Sequence, residues 1–419
     1  MIKKNKAFII AVIAKEDNTD YIHEECEELK LLATALNYDI IDFIYQNKPY
    51  IDPSTYIGKG KIKSSLNKAK MLSVDTFIFN NELKPSHFNH INKLTNNKIK
   101  IIDRTKVILD IFSKHARTIE SKKQIELASL QYLLPRLKGM WTHLERQMGG
   151  VGTRGGPGEK QIEIDRRLAS KKITKLKKEL KSITKSRTNM RKSRNSIFKI
   201  CLAGYTNAGK STLMRELSGH NVYVKDKLFA TLETTTKKIR TKSNHQYLLS
   251  DTVGFLNNLP HNLIASFRST LEEMNEADLI IQVIDITASN IKRHINTIND
   301  TLKMIGVNKT KKILVFNKID KVKSSSLFKK INSEYPESIL ISAENKLKLN
   351  LLEDELTKLI ENSMDTHTLY IPYKSYEIIN YIYKNTIIVK EYAKENKVKI
   401  IFKTSKKHFN TIQTKIQNP

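Results

Sequence analysis

Two glycines, a lysine and a hydroxyl group mark the octet Gly204, Tyr205, Thr206, Asn207, Ala208, Gly209, Lys210 and Ser211. This is the G-x-x-x-x-G-K-[ST] spacing of a loop that cradles phosphates. Successive backbone N–H groups and the following helix N-terminus turn partial positive charge toward phosphate oxygens. Lys210 would reach the β- and γ-oxygens, and the Ser211 hydroxyl would ligate Mg²⁺. The loop needs a buried strand before it and a helix after it. Phe198 to Ala203 reads as that strand and Thr212 to Leu217 as that helix. The octet alone leaves ATP and GTP open.

Three later segments choose between them. The strand-like run Gln246 to Ser250 ends in Asp251, Thr252, Val253 and Gly254, where an acid can hold Mg²⁺ through water and a glycine N–H can sense the γ-phosphate. Lys312 to Phe316 leads into Asn317, Lys318, Ile319 and Asp320. A carboxylate at Asp320 accepts two hydrogen bonds from guanine, whereas adenine offers no matching donor pair. Ser338 to Ile341 then leads into Ser342, Ala343 and Glu344, whose backbone can meet the guanine carbonyl. Between the first two motifs lies the switch segment Phe229, Ala230, Thr231, Leu232 and Glu233. Thr231 is the preferred second Mg²⁺ hydroxyl, but motif logic leaves Thr234, Thr235 and Thr236 open. No general base is assigned; Lys210 and Thr231 take transition-state and switch roles. Phe255 stands where many P-loop GTPases place a water-positioning glutamine. The set reads as a GTP site at the carboxyl ends of strands in a doubly wound sheet.

The elements around these motifs form four expected parts within an α/β protein. Residues 1–110 alternate apolar runs (Phe8–Ile13, Tyr38–Tyr45, Thr76–Phe79, Lys100–Asp103) with helix-compatible stretches, which suggests a small α/β domain. Tyr56 to Lys61 reads as a tight turn rather than a phosphate contact. Residues 111–196 form a helical hairpin, 197–363 the P-loop domain, and 364–419 a small α+β domain with strands Thr368–Pro372, Thr386–Tyr392 and Lys397–Lys403 around a helix Tyr376–Lys384.

The hairpin follows from periodicity. Leu127, Leu130, Leu134, Leu137, Trp141, Leu144 and Met148 alternate steps of three and four, as do Ala169, Ile173, Leu176, Leu180 and Ile183. Two such seams predict antiparallel helices, the first kinked at Pro135. Its tip, residues 149–158, carries glycines around Arg154 and Pro157, which permit close approach to a ligand backbone. From Arg166 to Arg194 the second helix has Glu179 as its single acid. A solvated face normally mixes signs, so this one repels itself unless a polyanion sits on it.

The whole 419-residue chain carries a formal net charge of +30 and is 39% hydrophobic, a folded protein suited to nucleic acid or an anionic surface. Two cysteines, Cys26 and Cys201, give no disulfide framework. The apolar stretch after Met1 is short and runs into Lys15-Glu16-Asp17, so it reads as a strand and not a signal peptide. A cytoplasmic, monomeric protein without a membrane span is expected.

The sequence resembles the HflX family of ribosome-associated GTPases. The resemblance rests on Asp103 to Phe112, Leu130-Gln-Tyr-Leu-Leu-Pro-Arg-Leu137, the glycine tip, Gly158-Glu with Asp165-Arg-Arg167, and Gly204 to Ser211. It implies a factor that binds the large ribosomal subunit and its RNA and uses GTP to dissociate stalled or idle ribosomes. It also implies a tip that reaches toward the peptidyl-transferase region, and Thr231 as the magnesium ligand. Glu233-Thr234 stands where the family usually has Asp-Pro, and the tip has one extra glycine before Pro157. Two rivals use the same residues. A ribosome-assembly or RNA-maturation GTPase would bind an immature particle, and a GTP-dependent binding module would associate without turnover.

Overall fold

A computed structural model describes residues 5–136, 158–192, 197–219, 234–241, 245–252, 254–256 and 273–417. The switch residues Phe229 to Glu233, Val253, and all of the glycine tip but Gly158 lie outside the described residues.

Four parallel strands open the chain: β1 (Asn5–Ile13), β2 (Tyr38–Asn47), β3 (Thr76–Phe79) and β4 (Lys100–Asp103), in the order β2-β1-β3-β4. Helices α1 (Thr19–Ala35), α2 (Lys59–Leu72) and α3 (Pro85–Leu94) connect them. β1 from Ala7 and β3 are continuous apolar runs, as strands inside a parallel sheet are, whereas the edge strand β2 carries Asp39, Asp42 and Gln46 and is mostly half-buried. Phe8, Ile9, Ile10, Phe77 and Phe79 are wholly buried, each worth about 1.5–3 kcal/mol. The turn expected over Tyr56 to Lys61 is displaced: residues 53–55 form it, closed by the Asp52–Tyr56 bridge with Tyr56 at φ 67, while Gly58 caps α2 and Lys59 to Lys61 are its first helical residues.

Helix α4 (Arg104–His115) runs through residue 110, the expected domain edge. Thr118 caps α5 (Ile119–Leu133), accepting a hydrogen bond from the Ser121 N–H. The helix gives way to one 3₁₀ turn, Leu134–Arg136, around Pro135, because proline can neither donate nor fit inside a helix. Its burial is broader than the expected stripe: Ile125, Ala128 and Tyr132 are buried as well as Leu127. Helix α4 packs on it, and a knot of polar groups buries its end. Tyr132 donates to Asp103 (2.9 Å), and Arg136 donates to the carbonyls of Tyr132 (2.7 Å) and Leu83 (2.6 Å) and to Glu82 (3.0 Å). The guanidinium lies 3.8 Å from the Tyr132 ring centroid. Burial pushes the Asp103 carboxyl up to about 6, against the pull of these donors. Breaking one side of such a buried network typically costs about 3–5 kcal/mol.

The long helix α6 (Gly158–Lys192) follows. Lys123 pairs with Glu179 at 3.0 Å and Glu126 pairs with Lys172. Numbers rise on one helix as they fall on the other, so the two are antiparallel. Leu176 is buried and Ala169, Ile173, Leu180 and Ile183 are half-buried, while Arg166, Arg167, Lys171, Lys175, Lys177, Lys178 and Lys181 are exposed.

The P-loop domain is built separately on six strands: β5 (Phe198–Gly204), β6 (Thr235–Arg240), β7 (Gln246–Asp251), β8 (Leu279–Asp285), β9 (Lys311–Asn317) and β10 (Ile339–Leu340). Their order is β10-β9-β8-β5-β7-β6, parallel except for β6. Helices α7 (Lys210–Ser218), α8 (Ile291–Met304), α9 (Ser325–Glu334) and α10 (Leu349–Asn362) belong to it. The chain reverses its strand order beside β5, so the phosphate loop opens at the switch point where doubly wound sheets bind ligands.

The last domain pairs β11 (Asp365–Pro372), β12 (Ile387–Lys394) and β13 (Lys397–Thr404) antiparallel, with β13 central. Helix α11 (Tyr376–Asn385) matches the expectation, whereas α12 (Lys406–Gln417) goes beyond it. Phe409, Ile412 and Ile416 step by three and four along α12, and Ile412 is wholly buried. The signal is present in a polar terminal segment.

Candidate GTP site

The sheet presents the phosphate loop from its middle strand. Leu202 of β5 pairs with Asp251 of β7, and Gly204 with Val283 of β8. Two backbone bonds then lace the loop to the chain beyond β7: Thr206 N–H donates to the Phe255 carbonyl and Phe255 N–H to the Gly204 carbonyl, both at 3.0 Å. The Thr252 hydroxyl donates to the Leu202 carbonyl at 2.6 Å, so its side chain fastens strands rather than facing a ligand. Phe255 is buried, 2% exposed. Its ring is part of the protein interior and cannot orient a water.

Lys210 begins α7 and is buried. Its ammonium donates to the carbonyls of Gly204 (3.1 Å) and Tyr205 (2.8 Å). Burial lowers its pKa to about 8 against the opposing pull of Asp251, because a low-dielectric site disfavours the charged form. Ser211 donates to Asp251 at 2.6 Å. These two side chains form an all-oxygen set, suited to a hard divalent cation whose other ligands are phosphate oxygens and water. The Tyr205 ring turns away into the core and stacks on His294 of α8, centroids 3.9 Å apart. Of Tyr205, only the backbone is left to serve the loop. Asn207 is exposed, at φ 61.

The base-side segments are tied to the phosphate side by one residue. Asn317, buried at the end of β9, donates to the Ala208 carbonyl and accepts from the Ala343 N–H, both at 2.9 Å. Each bond contributes about 1 kcal/mol, and together they hold three loops at one edge. Gly209 lies beneath it at φ +91, and a Cβ there would stand 2.1 Å from the Asn317 amide nitrogen. Gly209→Ala should therefore lower domain stability by about 1–3 kcal/mol, the range for a strained backbone position, and weaken GTP binding. A thermal melt alongside a nucleotide titration tests this; an unshifted melt would mean the loop relaxes freely.

Lys318, at φ 68, pairs with Asp285 at 2.7 Å. Burial raises the Asp285 pKa, but Lys318 and Thr287 outweigh it and leave the carboxyl below its usual range. The sequence reading missed Asp285, although it ends the apolar run Leu279–Asp285 at a strand's carboxyl edge. Ile319 N–H donates to the Ile341 carbonyl at 3.2 Å, and Ser342 accepts from the Asn345 N–H at 3.1 Å. Asp320 and Glu344 are exposed beyond these anchors. Among the threonines left open, Thr235 and Thr236 belong to β6, opposite Asp251 and Ser250, and the Thr236 hydroxyl bonds that of Ser250 at 2.9 Å. Thr236 is thus engaged within the sheet. Thr231 lies outside the described residues.

Three family descriptions match in succession: a GTP-binding GTPase N-terminal region over residues 23–113, a GTP-binding GTPase middle region over 115–194, and a 50S ribosome-binding GTPase over 199–318. The GTPase HflX of Caldanaerobacter subterraneus is 37% identical over 93% of this chain and 88% of its own length. That of Flavobacterium psychrophilum is 42% identical over 77% of each chain. A crystal structure of a GTP-binding protein from the hyperthermophilic archaeon Sulfolobus solfataricus in complex with GDP is 28% identical, with a TM-score of 0.43 over 85% of this chain and 98% of that one.

Proposed function

The chain belongs to the HflX family of GTPases, and from that premise we propose that it binds the large ribosomal subunit and dissociates stalled or idle ribosomes. It is a P-loop enzyme that hydrolyses GTP. The observation that carries the ribosome reading is the exposed, nearly acid-free run of lysines and arginines along α6. Two of the helix's charges meet α5; its exposed cations face solvent and match the phosphates of ribosomal RNA. No helix among the described residues is long and apolar enough to cross a membrane; the match to a 50S ribosome-binding GTPase description supports ribosomal RNA as the polyanion.

In this reading Ser211 and Thr231 would hold Mg²⁺, and Lys210 would span the β- and γ-phosphates. The metal supplies charge neutralisation between those phosphates when bound. The chain itself orients the nucleotide: the backbone of Gly204 to Gly209 surrounds the phosphates, and Gly254 senses the γ-phosphate. Asn317, Asp320 and the backbone of Ser342 to Glu344 hold guanine. With Phe255 buried, no side chain at that position activates water. Basal turnover should accordingly be slow, and large subunits should raise it. Phosphate release measured with and without subunits decides; fast turnover indifferent to ribosomes would falsify the gated reading.

In this reading binding and splitting fall to different segments of the hairpin. Neutralising Lys171, Lys175, Lys178 and Lys181 should weaken ribosome pelleting and flatten its salt dependence, by a log–log slope of about 0.7–0.9 for each phosphate that is no longer neutralised. Shortening residues 149–158 should leave pelleting largely intact while abolishing the light-scattering change of subunit dissociation. A shortened protein that splits ribosomes at the normal rate reduces that segment to a linker. Binding confined to immature particles would favour an assembly role instead.

A further inference from the structure

The C-terminal sheet buries one face and leaves the other open. Ile371, Val398, Ile400 and Phe402 pack with Ile382 of α11 and Ile412 of α12. Residues paired across antiparallel strands share a face, so the registers assign the opposite side. Tyr370, Lys399 and Tyr392 lie in one row across β11, β13 and β12. Pro372, Lys397 and Lys394 form the next row, and Thr368, Ile401 and Lys390 the row on the other side. Thr366 pairs with Lys403 beyond it. The open face thus carries five lysines, two tyrosines and no carboxylate among its strand residues. The strand acids point the other way: Asp365 pairs with the buried Thr404, and Glu391 accepts a hydrogen bond from Tyr383 of α11. Tyr370 is 53% exposed and Tyr392 47%. Lys399 sits between the rings, its ammonium 5.8 Å and 5.5 Å from their centroids.

We infer that this open sheet face is a binding surface for single-stranded RNA, in which Tyr370 and Tyr392 stack on bases and Lys397, Lys399 and Lys403 hold the backbone phosphates. Aromatic rings on a flat sheet interleaved with cations are the chemistry that grips unpaired bases. Lysines on β11 or β12 alone would serve to protect sheet edges from pairing. Those on β13 have no such duty, since it is the central strand and has no free edge. A lipid surface would call for apolar side chains that insert. The isoleucines on this face, Ile387 and Ile401, are only half-exposed, while the hydroxyl-bearing Thr366 and Thr368 are exposed and suit ribose and base edges. The inference stands apart from ribosome splitting, because its probe is free RNA and its residues belong neither to the hairpin nor to the nucleotide site.

The test uses the full-length protein and a fluorescent ten-nucleotide RNA that carries 4-thiouridine. Photocrosslinks should map to peptides containing Tyr370, Tyr392 or Lys399. Because α6 is itself basic, overall affinity is read together with these positions. The double change Tyr370→Ala and Tyr392→Ala should remove the crosslinks at the sheet and weaken binding about thirtyfold, at the lower end of what loss of two stacked bases allows. Tyr370→Phe with Tyr392→Phe should restore both, since the ring is retained and only the hydroxyl is gone. Unchanged GTP affinity in each variant reports an intact fold. Crosslinks confined to α6, or affinity and crosslinks unaltered by the alanine pair, overturn the inference. So does loss of binding to phosphatidylserine vesicles in the alanine pair with RNA binding preserved, which would make the face a lipid surface.

Discussion

Lys210→Ala should lower GTP affinity by about 100-fold or more, the equivalent of roughly 3–5 kcal/mol lost when one partner of a buried charge pair is removed. The lysine is buried and spends its ammonium on the carbonyls of Gly204 and Tyr205. A triphosphate offers far stronger partners, so the side chain must exchange two neutral acceptors for charged ones. That exchange also carries a pH signature. The pKa near 8 belongs to the nucleotide-free lysine, and phosphate binds the protonated form. Affinity should therefore be full below pH 7 and fall about tenfold between pH 7 and pH 9, as free lysine loses its proton. In Lys210→Ala that slope should vanish, which separates it from titration of guanine itself. Fluorescent GTP titrated across this range measures both; wild-type affinity in the alanine variant would sink the assignment.

Asp320→Asn should invert base preference. The carboxylate stands exposed beyond the Asn317–Ala343 anchor, with two oxygens available to guanine N1–H and the exocyclic amine. Hydrogen bonds to a charged group are worth about 1.5–3 kcal/mol each. Losing both, with an amide N–H now facing the amine, should cost on the order of 10²–10⁴ in GTP affinity. Xanthine presents a carbonyl where guanine has that amine, so the asparagine donor gains a partner. Competition among GTP, XTP and ATP reads the change directly. Retained preference for GTP over XTP would place base reading elsewhere.

The parts of the fold legible in the sequence are those fixed by local rules. Strand ends carrying Gly204, Asp251 and Asn317 are legible because a buried apolar run must stop where polar groups begin. The second hairpin helix is visible as a seam of three and four and the first as far as Leu134, since Leu137, Trp141, Leu144 and Met148 lie outside the described residues; the disturbance at Pro135, expected as a kink and found as a 3₁₀ turn, follows from covalent chemistry. What needs the third dimension is direction. Tyr205 and Thr252 lie within motifs, yet one ring stacks on His294 and the other hydroxyl bonds Leu202; spacing along a loop does not say which way a side chain turns. The knitting role of Asn317 is equally hidden, because its partners Ala208 and Ala343 are remote in sequence. The burial of Tyr132 and Arg136 at the end of α5 cannot be read from one helix's periodicity, since it depends on Asp103 and Glu82 arriving from another part of the chain.

The knot of Asp103, Tyr132 and Arg136 has a mechanical meaning. It fastens the end of α5 to β4 and to the segment after β3, because bending there would strip a buried guanidinium and a buried carboxyl of their partners at once. The Asp103 carboxyl acts as a rivet through three elements: it ends β4, caps α4 by accepting from the Lys106 N–H, and receives the Tyr132 hydroxyl of α5. The first hairpin helix therefore takes its stiffness at that end from the sheet, and loosening Arg136 would soften the joint without touching the nucleotide site.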